Sequence, residues 1–174
     1  MSINVKKRNG RGVESLQLEK IHKMVEEACK DLAGVSASQV EMQSGIQFYD
    51  GITTAEIQEI LIRSASDLID LDHPNYQFVA ARLLLFALRK SLYGRMKEIP
   101  HLEKHINTCV SKEVYDSDIY TKYSKEEIEK VNGYIDHDRD FLFTYAGLRQ
   151  VVDNTWYRIE AQGKHTKHLN SCTS

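Results

Sequence analysis

The chain has 174 residues, of which 41% are hydrophobic and 28% charged, and its formal net charge is −2. This length and balance suit one ordinary domain, or a small domain plus part of another. They exclude global disorder and remove the strongly basic footprint of a nucleic-acid binder.

In chain order, Ile3 to Leu18 reads as a β-hairpin. Asn9-Gly10 is a two-residue turn signal, because both residues tolerate positive φ, and Val13 to Leu18 alternates apolar with polar. Gly12 marks either a bulge or a longer loop. Glu19 to Leu32 reads as a helix: Ile21, Met24, Val25, Ala28, Cys29 and Leu32 fall on one stripe, and Gly34 stands in the C-cap position. A second helix is expected from Ser36, with Gln39 in the capping-box position, to about Phe48. Tyr49-Asp50-Gly51 is a turn. Thr53 and Glu56 form another capping box ahead of Ile57, Ile60, Leu61, Ala65 and Leu68, so a third helix runs to about Leu71. Asp72-His73-Pro74 opens a fourth, from Asn75 to about Arg95, apolar on most faces and so a core helix.

Pro100 marks a boundary. Beyond it the pattern stays helical but becomes more polar. Ser124 and Glu127 make a capping box before Ile128 and Val131. A further helix is expected to begin at Ile135 to Phe141, with acidic residues in its first turn, and to run through Phe143, Tyr145, Leu148 and Val151-Val152. The expected fold class is mainly α: four helices under a small β-hairpin or sheet over residues 1–95, a helical extension over 96–157, and a loose tail over 158–174.

No stretch of roughly 18 apolar residues occurs, and the polar start has no apolar signal core, so neither a membrane span nor a leader is expected and the location reads as cytoplasmic. The three cysteines, Cys29, Cys109 and Cys172, form no CxxC pair and imply neither a zinc ribbon nor a disulfide framework. Phosphate-loop, dinucleotide and HExxH motifs are missing, so no catalytic or metal-ligating residue is expected. Asp136-His137-Asp138-Arg139-Asp140 reads better as a capped helix start with an Arg–carboxylate pair than as a metal or acid–base site. The run Lys6-Lys7-Arg8 is either a solvated hairpin edge or, with Lys20 at a helix start, a cradle for a polyphosphate. Arg89 and Lys90 would complete that clamp if their end of the fourth helix packs near the hairpin.

Several segments together resemble a known family. They are Val5 to Gly10, Leu18-Glu19-Lys20-Ile21, Tyr49 to Thr54, Tyr76 to Leu83 and Leu88 to Gly94. These resemble the ATP-cone, the regulatory module at the N-terminus of many ribonucleotide reductase large subunits. Tyr134 to Tyr145 is similar to the start of the helical region that follows the cone. The likeness is to class I bacterial and phage-type subunits, over about residues 3–152. It implies four helices capped by a small sheet, and a site for ATP or dATP, with Mg2+, acting as allosteric effector.

Carried over by position, Lys7, Arg8 and Lys90 would contact phosphates. Glu14, Ser15, Leu16, Gln17, Leu18, Glu19, Lys20 and Ile21 would wrap the nucleotide. Thr54 and Ile57 would lie by base and sugar, and Phe86 would pack beneath. A histidine that lines this site in some relatives and supports dATP inhibition is Gln58 here, and a neutral amide cannot be protonated to meet phosphate. One extra residue between Gly10 and Lys20 allows the Glu14 assignment to slip by one.

The family's ten-stranded barrel, with its catalytic cysteines, does not follow in these 174 residues. The resemblance therefore implies a non-catalytic component that assembles with a separate barrel-bearing chain, as in a split phage subunit, and with the radical-generating small subunit. The alternatives are a truncation, a stand-alone nucleotide-sensing regulator, or a scaffold module that has lost its ligand.

Overall fold

The computed structural model describes residues 3–7, 12–96 and 98–154. Arg8, the Asn9-Gly10 turn, Cys172 and the tail lie outside the described residues. Two compact units form: one holds the described residues up to Leu85 and again from Phe143, the other Phe86–Leu142. The division falls inside the fourth helix, whose last turns bond to residues of the second unit, as described below.

In the first unit, β1 (Asn4–Lys6) pairs antiparallel with β2 (Val13–Ser15) and parallel with β3 (Ile52–Thr53), in the order β2-β1-β3. The antiparallel register is Asn4↔Ser15, Val5↔Glu14, Lys6↔Val13. The third strand is an addition to the expected hairpin. It forms because Gly51, at φ +84°, turns the chain so that its N–H donates to the Asn4 carbonyl at 2.8 Å. Asp50 meanwhile accepts from both the backbone and side-chain nitrogens of Asn4. Val5 and Ile52, opposite each other in the parallel pair, are both buried and anchor the sheet on the helices.

Helix α1 (Leu18–Cys29) buries Ile21, Met24, Val25 and Ala28, the expected stripe. It stops three residues earlier than expected, since Asp31 takes the left-handed conformation and Arg82 donates to the Ala28 and Lys30 carbonyls at 3.2 and 2.6 Å. Cys29 is half-buried, and burial pushes its thiol up to about 11.

Helix α2 (Ala37–Gly45) also ends early, and i→i+3 turns carry the chain on to Phe48. The expected Ser36–Gln39 box does not form. The Tyr76 hydroxyl comes between, accepting from the Ser36 N–H at 3.0 Å and donating to Gln39. Helix α3 (Thr54–Asp67) does carry its predicted capping box, with Thr53 and Glu56 bonded reciprocally. Helix α4 (Tyr76–Tyr93) buries Tyr76, Val79, Ala80, Ala81 and Leu83 to Leu85 in this unit. A last helix, α8, covers residues 145–154, capped by the Thr144 hydroxyl, with Leu148 buried.

The second unit contains the end of α4 with α5 (Leu102–Ser111), α6 (Ile119–Lys122) and α7 (Lys125–Tyr134). The Ser124–Glu127 box opens α7 as predicted. Asn132 of α7 accepts from the Leu102 N–H at 2.9 Å and so ties α7 to the start of α5. His137–Leu142 forms a 3₁₀ helix where an α-helix start was expected. Among the described residues, no helix is long and apolar enough to cross a membrane.

Candidate nucleotide-binding site

Strand alternation decides which basic residue meets the helices. Val5 is buried, so Lys7, two residues on, leaves β1 on that same helix-facing side. Glu14 stands opposite Val5 on the same face. The Lys7 N–H donates to the Gly12 carbonyl at 3.2 Å, and Gly12, at φ +97°, offers no side chain of its own. The lysine therefore reaches diagonally, and its Nζ lies 3.0 Å from Glu14 Oε2. Both groups remain substantially open to solvent, so this pair is a weak tie that a stronger anion can displace.

Lys6 points to the other face and extends along Gly51. Its charge helps to hold the Glu56 carboxyl below the usual range, behind the larger effects of hydrogen bonds from the Thr53 hydroxyl, the Thr53 N–H and the Tyr49 hydroxyl. The Tyr49 phenol is correspondingly raised by its bond to Glu56.

The parallel register Lys6↔Thr53 sets Lys7 one residue past the last strand pair, just as Thr54 is one past it on β3. The cationic end of β1 thus stands beside the N-terminus of α3, where the helix dipole is positive. The connection from β2 to α1 completes this end of the sheet. Ser15 pairs with Asn4, and the Leu16 N–H donates to the Ile3 carbonyl at 2.8 Å. Gln17 occupies the N-cap of α1 with extended backbone and no side-chain cap bond. First-turn amides left this way are suited to an anion. Leu18, Glu19 and Lys20 are exposed, and Lys20 makes no ion pair among the described residues. Val13 and Leu18 are about two-thirds exposed (61% and 65%) and provide apolar surface next to the cations.

The remaining expected positions fall into three groups. Ile21 and Ile57 are buried core residues, and Gln58 is buried in the second turn of α3. Thr54 is half-buried at the first residue of α3. Phe86 and Lys90 belong to the second unit: Phe86 is buried with its ring edge-on to Phe141 at 6.2 Å, and Lys90 is exposed.

Arg89 does not serve as a free clamp cation. It is 7% exposed, donates to Asp140 at 2.7 Å and to the His137 carbonyl at 3.4 Å, and stacks its guanidinium 5.3 Å from the Phe141 ring. The acidic cluster thus holds an Arg–carboxylate pair, as its sequence suggested, but the arginine comes from α4. Among the described residues, no group of three histidine, cysteine or acidic side chains is set to hold a metal. Sequence reasoning passed over Tyr49 and Asp50 as simple turn residues. Their partners, Glu56 and Asn4, become visible only once β3 is paired.

A small sheet thus closes a helical unit, with basic and apolar groups at one end of the sheet. The ATP cone domain model matches residues 3–91, just over half of the chain, and the chain belongs to that family. It is similar, at 46% identity over 147 residues, to the ribonucleoside-diphosphate reductase 1 subunit alpha of Escherichia coli, covering 84% of this chain and 19% of that protein. It is 45% identical over 150 residues to the subunit alpha of Haemophilus influenzae, covering 86% and 20%. It is 38% identical over 164 residues to that of Enterobacteria phage T4, covering 93% and 21%. The chain therefore spans about a fifth of the length of the curated relatives it matches.

Proposed function

We propose that these residues form the N-terminal regulatory region of a ribonucleoside-diphosphate reductase and that they bind ATP or dATP, with Mg2+ carried on the phosphates. The observation that carries the reading is the ATP-cone match over residues 3–91, which takes in Lys7, the Glu14 to Ile21 segment, Thr54 and Lys90. Its physical support is the helix-facing Lys7 beside the start of α3 and the uncapped first turn of α1. In this reading Lys7 exchanges Glu14 for a phosphate, Lys20 adds a second cation, and Val13 or Leu18 shields the base. No residue here acts as a catalyst. The region associates with the barrel-bearing large-subunit chain and the radical-generating small subunit. The apolar residues that the second unit leaves exposed, Tyr134 and Leu142 among them, support such an association.

Calorimetric titration of the chain with MgATP and with MgdATP tests the binding. One site is expected, and Lys7→Ala should weaken it about tenfold, the loss of one charge-assisted hydrogen bond. Absence of heat with either nucleotide would leave a scaffold role only. Binding that survives Lys7→Ala and Lys20→Ala unchanged would move the site elsewhere.

A further inference from the structure

We propose that His22 is a proton-dependent clasp joining α1 to α2. Its ring lies between two carboxylates: Nδ1 is 2.8 Å from Glu41 Oε1 on α2, and Nε2 is 3.1 Å from Glu26 Oε1 on α1. A neutral imidazole carries a single N–H. It can satisfy one of these oxygens, and its other nitrogen then sets a lone pair against the second carboxylate. Only the imidazolium donates to both. The clasp follows directly on the Glu14 to Ile21 segment, but its action concerns the α1–α2 packing and does not depend on what that segment binds.

The groups acting on His22 are Glu41 and Glu26, and neither carboxylate has another ion-pair partner among the described residues. Arg82 of α4 engages the carbonyls at the far end of α1. The His22 pKa is raised from its ordinary 6.5, first by the hydrogen bond and charge of Glu41; burial opposes this, and Glu26 adds lesser upward effects. The sign follows from this: a raised folded-state value makes the clasp's contribution complete below the unfolded value, and lost as pH rises through the folded one.

Two measurements on the full chain test the clasp. In a titration of the histidine ring nitrogens by NMR, His22 should titrate above free histidine, and Glu41→Gln should bring its midpoint down. In thermal unfolding, His22→Gln should lower Tm relative to the parent near pH 6, and that difference should vanish near pH 9. Comparing parent with variant cancels the contributions of the other histidines, which both proteins share. A His22 midpoint at the free-histidine value, or one unmoved by Glu41→Gln, would overturn the proposal. So would a Tm loss from His22→Gln that is equal at both pH values, because that would reflect packing alone.

Discussion

The two units hold themselves together by different means. The first buries a broad apolar core in which Val25, Val40, Ile52, Leu61 and Val79 are fully enclosed. The second, among its described residues, buries only Phe86, Ile106 and Ile128 as apolar side chains. At about 2 kcal/mol for each large side chain removed from water, three such residues cannot offset the ordering of more than fifty. The second unit relies instead on oriented polar contacts: the Arg89–Asp140 pair, the Asn132 bond to the start of α5, the Ser124 capping box, and His105 set edge-on to Tyr93 and Tyr115. Tyr134, Leu142, Tyr123 and Leu92 remain exposed there. The first unit has a core of its own, whereas the second has the composition of a surface that gains by being covered.

Substitutions can separate these two modes of stabilisation. The largest effect is expected from Leu61→Ala, which opens a cavity in the first core and should cost about 3 kcal/mol in denaturant unfolding, with far-ultraviolet signal lost early. Arg89→Ala should cost about 2 kcal/mol in the second unit, since it leaves Asp140 without its buried partner and Phe141 without its cation. Arg89→Met, which keeps the stem against Phe141, should recover part of that loss. If Arg89→Ala instead destabilises no more than a surface change, the second unit is held by something other than its polar contacts.

The same substitution can be made in both units at equivalent caps. Thr53→Ala and Ser124→Ala each remove a reciprocal capping box and should each cost about 1 kcal/mol. Equal losses would show that the local chemistry is the same and that the units differ in their cores. Acid adds a smaller distinction in the first unit. The Glu56 carboxyl is held low by Thr53 and Tyr49, so its contribution is present above the unfolded value near 4.5 and fades as pH falls through the folded one. Glu56→Gln should flatten that part of the unfolding profile.

What was legible in the sequence was what short-range rules govern. The α1 stripe, the Thr53–Glu56 and Ser124–Glu127 boxes, and the proline opening α4 all depend on residues within a turn or two of each other. What escaped depended on partners far along the chain. β3 has only two residues and no period of its own, and it exists because Asn4 bonds back to Asp50 and Gly51. The Ser36–Gln39 box was a sound local expectation, but the Tyr76 hydroxyl displaces it from forty residues away. Arg89 looked available for phosphate until Asp140 was found beside it. The basic run was ambiguous by composition, and the pleat separates it: Lys7 shares the face of Val5 and Lys6 does not.

Hydrogen–deuterium exchange on the whole chain, with and without saturating MgATP, is the most direct test of nucleotide reading by the first unit. The account predicts new protection in β1, in the connection from Glu14 to Ile21 and in the first turn of α3, with residues 98–142 unchanged. Protection confined to residues 98–142, or none anywhere, would contradict it.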